Sequence, residues 1–453
     1  MSDSPDASPD ATLERMTQLD RREFLGVSFA AFAGAALGFP QTAPASTTLR
    51  KILDIGPGGV IYPGSAQDLR FASNTEYFAD TRTSWIRMWA DWPSLQPHPG
   101  YAIDDPGSPG SWRLQALDEQ IALANARGLK VILMPYRFPT WVNGTATLSA
   151  QKNTDAEISY RYGDRMTKAA WDRYVRNGRN PSVYNPGRRA LEYMLPADPY
   201  GPTSAWAQYF DFLYRRYHYG QRATGRYVHG FELVNEPNLQ LWPQQGATTT
   251  DPFAQTPRTI ERAIAQLFKT AHGISTRFGQ STQLYGPSIS DSDTASSRLY
   301  TRYDAFVPAF LDACAEVGYK PNSRMAWAHH NYTDVEKRQT DTRTQLIRGL
   351  LAGRWTGFAA AQSPTVFITE GGARLSRMPA LYPGEDPRQA QAKCLRDAWA
   401  LHRANTGAGV GVAQFAQYLL YADPNFDCGL LDPYPSTVKR PAYEAWKSFP
   451  TYS

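Results

Sequence analysis

The chain has 453 residues, of which 42% are hydrophobic and 20% charged, with a formal net charge of +5. These values exclude a disordered or low-complexity chain, and the length suits one large barrel or two medium domains. The basic residues are scattered, which argues against a nucleic-acid-binding protein. Aromatic residues make up 13% of the chain. They suit either a dense core or exposed rings that stack on a flat ligand.

The first 45 residues have the pattern of an export signal. Arg21 and Arg22 precede a modest apolar stretch at 27–39, and a small-residue Ala-Pro-Ala site follows at 43–45. This pattern is typical of a twin-arginine leader, and the stretch is too short for a membrane span. The alternative is an uncleaved disordered tail. Because the leader holds three of the 47 basic and six of the 42 acidic residues, its removal leaves a net charge of +8. We expect a secreted, periplasmic or cell-envelope protein without membrane attachment.

Short apolar runs alternate with helical patterns after the leader. The predicted strands are residues 51–55, 84–89, 130–134, 229–234, 283–286, 325–328, 365–369 and 409–415. Several are continuously apolar, as expected of parallel strands covered on both faces. The clearest amphipathic stretches between them are 114–127, 205–219, 259–278 and 387–403. Eight strand and helix pairs predict an α/β fold, a (β/α)₈ TIM barrel that forms a single domain over residues 46–453.

Two long interruptions follow the third and fourth predicted strands, at about 142–204 and 239–257. The first is rich in Tyr, Arg, Asn and Gly and contains Tyr160, Arg161 and Tyr162. In a barrel both would be long βα loops on the face where active sites lie. They would either close a pocket or flank an open cleft.

Two of the predicted strands end in a glutamate. The apolar run at 231–234 leads into Asn235 and Glu236 and is closed by Pro237, and the run at 366–369 leads into Glu370. Side chains just past a strand end point into the mouth of a barrel. By our count these two glutamates follow strands four and seven, so their side chains can converge across the mouth.

A converging carboxyl pair is what retaining glycoside hydrolysis requires. One protonated group donates to the leaving oxygen, and an ionised group about 5–5.5 Å away attacks the anomeric carbon. Repulsion between close charges raises one pKa, which would leave Glu236 protonated and Glu370 anionic. The sequence thus predicts Glu236 as acid/base and Glu370 as nucleophile. The alternative for either is a structural carboxylate paired with an arginine or a main-chain donor.

These motifs resemble those of the cellulase-like clan of retaining (β/α)₈ glycoside hydrolases, especially families 5 and 39, over nearly the whole chain after the leader. The resemblance implies the same roles for Glu236 and Glu370, and it implies that Asn235 binds the 2-hydroxyl of the sugar. Residues 85–89, Trp-Ile-Arg-Met-Trp, resemble the strand-two segment whose arginine, here Arg87, lies beside the nucleophile. An unrelated core ion pair is the alternative for this arginine.

Further site residues follow from the same resemblance. His330 and Tyr332 match the strand-six His-x-Tyr, which implies a substrate contact for His330 and a hydrogen bond from Tyr332 to the nucleophile. On strand eight the clan supplies a tryptophan under the −1 sugar, whereas residues 414–421 contain none. Gln417 or Tyr418 would take its place.

Other aromatic and basic residues past the strands are candidate substrate contacts. The candidate stacking platforms, for which a core position is the alternative, are Trp89, Trp92, Trp141 and Trp242. Arg137 either contacts substrate or anchors the long loop. We expect Trp399 and Trp446, which lie on helical patterns, in the core.

The predicted function is hydrolysis of O-glycosidic bonds in an oligosaccharide, polysaccharide or glycoside by double displacement, without a cofactor. A transglycosylase would share every catalytic residue, and in a non-catalytic carbohydrate-binding protein we would expect one glutamate to be lost. An oxidoreductase is disfavoured because the sequence has no Gly-rich dinucleotide fingerprint, CxxC or haem site. His329 and His330 suggest a metal ion, but no acidic ligand cluster surrounds them, and no metal is predicted.

Several properties stay open at this stage. The sugar, the linkage, endo or exo action and the oligomeric state are among them. Cys314, Cys394 and Cys428 would allow one disulfide and a free thiol, and the sequence leaves their pairing undecided.

Overall fold

The computed structural model describes residues 50–55, 74–143, 195, 199–241, 259–278, 282–293, 300–321, 325–337, 342–355, 365–406, 412, 414–423 and 426–450. The predicted export signal, the 160–162 segment, Trp242 and most of both long loops lie outside these residues. Among the described residues, no helix has the length and apolar character needed to cross a membrane.

Eight parallel strands form the centre of the protein. They are β1 Arg50–Asp54, β2 Trp85–Asp91, β3 Lys130–Tyr136, β4 Gly230–Glu232, β5 Gln283–Ser290, β6 Met325–His330, β7 Val366–Glu370 and β8 Gln414–Tyr418. Consecutive strands pair from β1 to β7, and β8 pairs with β1. A parallel bridge from Val366 to Val412 links β7 to the residues just before β8. The strands form a nearly closed barrel, and the (β/α)₈ prediction is confirmed.

The strands extend further at the mouth than their apolar runs do. Every residue of β2 and β6 is buried, as expected when one face fills the barrel and the other packs under helices. However, β2, β3, β5 and β6 continue past the predicted ends to Asp91, Tyr136, Ser290 and His330. The four residues at which these strands end are polar or aromatic. The hydrophobic pattern therefore ends before the strand pairing does.

Helices connect the strands. They are α1 Trp92–Leu95, α2 Ser111–Ala126, α3 Ala205–Tyr217, α4 Pro237–Gln240, α5 Thr259–Arg277, α6 Tyr303–Glu316, α7 Tyr332–Lys337, α8 Thr342–Leu351, α9 Met378–Leu381, α10 Pro387–Thr406 and α11 Pro441–Ser448. Residues 74–80 are also helical. The four predicted helices correspond to α2, α3, α5 and α10. Helix α3 shows why: Ser204 accepts a hydrogen bond from Ala207 N at its start, and its buried residues Trp206, Phe210 and Leu213 share one face.

The outer layer settles two questions left by the sequence. Trp399 and Trp446 are 7% and 0% exposed, which confirms their predicted core position. The three cysteines are buried and no disulfide joins them, so the disulfide considered from the sequence is not formed.

Candidate active site

Six ionisable side chains meet where the strands end. Their positions are Asp54 on β1, Arg87 on β2, Glu232 on β4, His330 on β6, Glu370 on β7 and Glu236 just before α4. All are buried except Glu236, which is partly exposed. Because parallel strands of a barrel end at one rim, residues far apart in the chain share this small region.

Glu236 and Glu370 face each other at this rim. One carboxylate oxygen of each, together with a ring nitrogen of His330, lies within 4.8 Å of the others. Glu236 has a left-handed backbone, with φ 39° and ψ 55°, and its N–H donates to Ser288 O at 3.0 Å. Such a backbone costs a non-glycine residue about 1–2 kcal/mol. The surrounding fold holds Glu236 in this conformation, and Pro237 then starts α4.

Arg87 is fully buried and joins several of these groups. Its Nε and Nη2 donate to the two oxygens of Glu232 at 2.7 and 2.9 Å, and Nη2 also donates to Asn235 Oδ1 at 2.8 Å. Its Nη1 donates to Asp54 and to Glu370. Burial alone would lower the pKa of Arg87, but the surrounding carboxylates raise it well above its usual value. The structure thus brings this arginine into contact with Glu370.

His330 and Tyr332 also contact the carboxylate pair, from the end of β6 and the start of α7. His330 Nδ1 lies 3.0 Å from Glu236 Oε1 and 3.4 Å from Glu370 Oε2, and Tyr332 donates its hydroxyl to Glu370 Oε2 at 3.0 Å. Burial would lower the pKa of His330, but three nearby glutamates outweigh it and raise the pKa to about 10. The ring is therefore a cation at neutral pH.

The pKa of Glu370 differs from the sequence-based expectation. The sequence suggested that the proton resides on Glu236. In the structure, burial raises the pKa of Glu370 to about 7, although His330 and Arg87 act in the opposite direction. The pKa of Glu232 falls to about 2, because Arg87 and His330 outweigh the opposing effect of its burial. One proton can thus reside on the Glu370 side of the unliganded site near neutral pH.

Glu236, His330 and Glu370 have a spacing that could also hold a metal ion. A histidine must be neutral to ligate a metal, whereas the pKa of His330 is raised to about 10. In addition, the guanidinium of Arg87 already contacts Glu370. This charge pattern favours acid/base and nucleophilic chemistry over metal binding.

The strand-eight candidates differ in what their side chains offer. Gln417 is 1% exposed, and its Nε2 donates to the main-chain oxygens of Tyr418 and Cys428 at 3.0 and 2.7 Å. Tyr418 is partly exposed, and its ring lies edge-on to those of Tyr332 and Phe426, with centroids 6.3 and 5.7 Å away. Of the two, Tyr418 is the residue whose side chain can reach a ligand.

The strand-two tryptophans are buried. Trp89 is 3% exposed, and its indole N–H donates to Asp54 at 3.0 Å. Its ring packs edge-on against that of Tyr136, with centroids 4.4 Å apart. Trp92 stacks on Tyr209 with centroids 4.5 Å apart. Neither forms an exposed wall of the mouth.

Trp141 and Arg137 are partly exposed after β3. The indole N–H of Trp141 donates to Gln96 O at 3.0 Å. Arg137 has a left-handed φ of 58°, and its Nε donates to Asp91 at 2.9 Å. Arg137 also lines a small pocket with Tyr136 and Asn235. Both residues are thus near the mouth and held by the β2 side of the barrel.

Comparison with known proteins identifies similar folds at low identity. No protein-family model and no curated protein sequence matches the chain. Among solved structures, it is similar to a family 39 glycoside hydrolase from the gut symbiont Bacteroides cellulosilyticus WH2, with 12% identity over 88% of this chain and 63% of that one, TM-score 0.47. It is also similar to the exo-β-1,4-mannosidase Op5Man5 from Opitutaceae bacterium strain TAV5, with 11% identity over 90% of this chain and 60% of that one and a TM-score of 0.48. A third similar structure is a GH5_18 protein from Bifidobacterium longum subsp. infantis, with 13% identity over 88% of this chain and 78% of that one and a TM-score of 0.49.

The chain spans less than two thirds of the length of the first two of these proteins. At such identities the substrates of these proteins do not transfer to this chain. The functional argument therefore rests on the residues of the site.

Three residues of the site were missed from the sequence. Asp54 ends β1 in the structure, so a search for acidic residues near the end of every predicted strand would have found it. Glu232 lies inside the predicted apolar run at 231–234, where the rule that found Glu236 and Glu370 does not apply. Phe426, in the loop after β8, packs edge-on against Tyr332 with centroids 4.9 Å apart. No local pattern marks it.

Proposed function

We propose that the chain is an exported retaining glycoside hydrolase in which Glu236 is the acid/base and Glu370 the nucleophile. The observation that carries this proposal is the approach of their oxygens to within 4.8 Å at the barrel mouth. Carboxyl groups about 5–5.5 Å apart suit direct attack on the anomeric carbon, whereas about 6.5–9.5 Å leaves room for an intervening water and gives inversion. The short separation favours retention.

The first step forms a glycosyl ester. Glu370 attacks the anomeric carbon as a carboxylate while Glu236 donates its proton to the departing glycosidic oxygen. Arg87 and Tyr332 both donate hydrogen bonds to Glu370, and these bonds stabilise and orient its anion. Because burial raises the pKa of Glu370 to about 7, the reactive ionisation state becomes more populated as pH rises through that value.

The second step returns the enzyme to its starting state. Esterification removes the negative charge of Glu370, and the anionic Glu236 then accepts a proton from water. The resulting hydroxide-like oxygen attacks the anomeric carbon and releases Glu370 as a carboxylate. His330, 3.0 Å from Glu236, stabilises the anionic form of Glu236 that this step requires.

The substrate in this proposal is an external oligosaccharide, polysaccharide or glycoside. Asn235 accepts a hydrogen bond from Arg87 at the rim. In this proposal its amide N–H donates to the sugar hydroxyl next to the anomeric carbon. The partly exposed ring of Tyr418 offers an apolar surface on the β8 side.

The decisive experiment screens aryl glycosides of several sugars, together with polysaccharides, against the wild-type protein and Glu370→Ala. We expect at least one substrate to be hydrolysed, with the configuration of the first-formed product retained by NMR. Glu370→Ala should lose about 10⁴-fold or more in kcat, since it removes the nucleophile. Glu385→Ala is a suitable control, because Glu385 forms an exposed ion pair with Lys393.

Azide separates the two roles. With an activated aryl substrate, azide should rescue Glu370→Ala and give a glycosyl azide of inverted configuration. Rescue of Glu236→Ala should give the retained azide, because the ester on Glu370 still forms. An inverted product from the wild-type protein, or undiminished activity of Glu370→Ala, would refute the assignment. Saturable sugar binding without any turnover would instead indicate a carbohydrate-binding protein.

A further inference from the structure

Asp291 lies directly after β5 and is fully buried. Its Oδ1 accepts the main-chain N–H of Thr333 at 3.0 Å, and its Oδ2 accepts that of Asp334 at 2.9 Å. These are two of the first N–H groups of α7, which have no partner inside their own helix. The Asp291 side chain therefore caps the start of α7.

The first residue of that helix is Tyr332, whose hydroxyl donates to Glu370 Oε2 at 3.0 Å. The main chain around Tyr332 is thus fixed by the Asp291 side chain on one side. On the other, Asp291 N donates to His330 O at 3.1 Å and Asn331 N donates to Glu370 O at 3.2 Å. The side chain of Asp291 acts on the helix, and only its main chain acts on His330.

We propose that Asp291 is a positioning residue for the proposed glycosidase reaction: by capping α7, its side chain holds Tyr332 at hydrogen-bonding distance from the nucleophile Glu370. This inference rests on the proposed function. Asp291 touches neither carboxylate of the catalytic pair through its side chain. Its effect on the reaction passes through the main chain of α7 to the hydroxyl of Tyr332.

Substitution of Asp291 gives a graded test. Asp291→Ala removes both acceptors, and Asp291→Asn keeps one carbonyl oxygen. On the best aryl glycoside of the screen we expect kcat to fall about 10- to 100-fold in the alanine variant, with KM little changed, and less in the asparagine variant. A displacement of about 1 Å near reacting groups has effects of this size.

A double-mutant comparison separates positioning from general destabilisation. In a Tyr332→Phe background the hydroxyl is already absent, so Asp291→Ala should cost much less of kcat than it does in the wild-type background. Asp118→Ala is the matched control. Asp118 is also a buried aspartate, but it accepts from Arg216 and Tyr217 in the outer helix layer, so its loss should lower stability and leave kcat unchanged.

Two readouts do not depend on turnover. In Asp291→Asn, amide hydrogen exchange should accelerate about tenfold or more at Thr333 or Asp334, whichever loses its acceptor, and this measurement also covers a failure of the alanine variant to fold. A crystal structure of Asp291→Asn should show Tyr332 Oη displaced from Glu370. If no glycoside is cleaved by the wild-type protein, the proposed function fails while these measurements still decide the positioning role.

Three results would overturn the inference. The first is a multiplicative loss of kcat when Asp291→Ala is combined with Tyr332→Phe. The second is unchanged exchange at Thr333 and Asp334. The third is an equal kinetic loss in Asp118→Ala.

Discussion

Arg87 binds Glu232 through two parallel hydrogen bonds, from Nε and Nη2 at 2.7 and 2.9 Å. This pairing fixes the plane of the guanidinium, so that its remaining nitrogen, Nη1, faces Glu370. Glu232 remains ionised because Arg87 and His330 outweigh the effect of burial and lower its pKa to about 2. In the proposed reaction Glu232 is therefore an electrostatic support for Arg87 and not a second acid.

The first prediction concerns Glu232→Gln. Loss of this charge leaves Arg87 with a weaker partner on one edge, and a buried charge-assisted hydrogen bond contributes about 1.5–3 kcal/mol. We expect the free energy of unfolding in urea to fall by about that amount. Because the guanidinium loses its fixed plane, kcat/KM should also fall, by about tenfold or more.

Glu385→Gln provides the contrast for this measurement. Glu385 pairs with Lys393, and both side chains are more than a third exposed. An exposed pair of this kind contributes about 0–1 kcal/mol. Equal unfolding free energies for the two variants would show that the buried pair of Glu232 and Arg87 stabilises the protein no more than an exposed ion pair does.

The second prediction is the pH dependence of the site. Burial raises the pKa of Glu370 to about 7, so kcat/KM of the wild-type protein should increase as pH rises through about 7. Tyr332→Phe removes a hydrogen-bond donor that favours the carboxylate form of Glu370. The pKa of Glu370 should therefore rise further, and the rising limb of the pH profile should move to higher pH. A pH profile of kcat/KM measures both. A limb that stays in place, or moves to lower pH, would contradict the assigned contact.

The sequence predicts the barrel well because burial on both faces of a parallel strand leaves a continuous apolar run. The proposed catalytic pair is recognisable for a related reason, since Glu236 and Glu370 each follow such a run at its end. Glu232 is hidden because it lies between Phe231 and Leu233 and resembles an ordinary strand residue. Its partner Arg87 is distant in the chain, and a non-local ion pair has no periodicity.

The same limit applies to Asp291 and Phe426. Asp291 is recognisable as a helix cap only when α7 lies against the end of β5. Phe426 is recognisable as part of the site only when its ring packs against Tyr332. The proton distribution between Glu236 and Glu370 depends on burial depth as well as on their mutual repulsion. The positions of the two glutamates at strand ends predict that their charges repel each other. They do not predict how deeply each side chain is buried.

The third prediction tests the β8 side of the mouth. Tyr418→Ala removes a partly exposed ring that packs edge-on to Tyr332, so we expect KM to rise about tenfold and kcat to fall as well. Tyr418→Phe keeps the ring and should change KM less than threefold on the same aryl glycoside. Gln417→Leu should lower stability more than it raises KM, because its amide binds only main-chain oxygens among the described residues. A reversed order of the two KM effects would place the sugar contact on Gln417.

The fourth prediction concerns the opposite end of the barrel. Lys51 is fully buried on β1, and its Nζ donates to Thr81 O at 2.5 Å, Trp446 O at 2.8 Å and Phe449 O at 3.4 Å. These bonds join β1 to the end of the 74–80 helix and to α11. Lys51→Met removes the side-chain donor shared by these carbonyls, of which Trp446 O keeps the main-chain N–H of Phe449. An unsatisfied buried group costs about 1–3 kcal/mol. We expect reduced unfolding free energy with kcat unchanged.

The pH dependence of this effect has a defined sign. Burial, with Arg82 adding to it, lowers the pKa of Lys51 from 10.5 to about 7. Between these two values the unfolded chain binds a proton that the folded chain does not, so the contribution of Lys51 to stability increases from pH 7 to pH 10.5. The wild-type protein should therefore gain unfolding free energy relative to Lys51→Met across this window, as measured by urea unfolding at several pH values. A constant difference between the two proteins would mean that the ammonium keeps its ordinary pKa inside the barrel, held in the charged form by the three carbonyls.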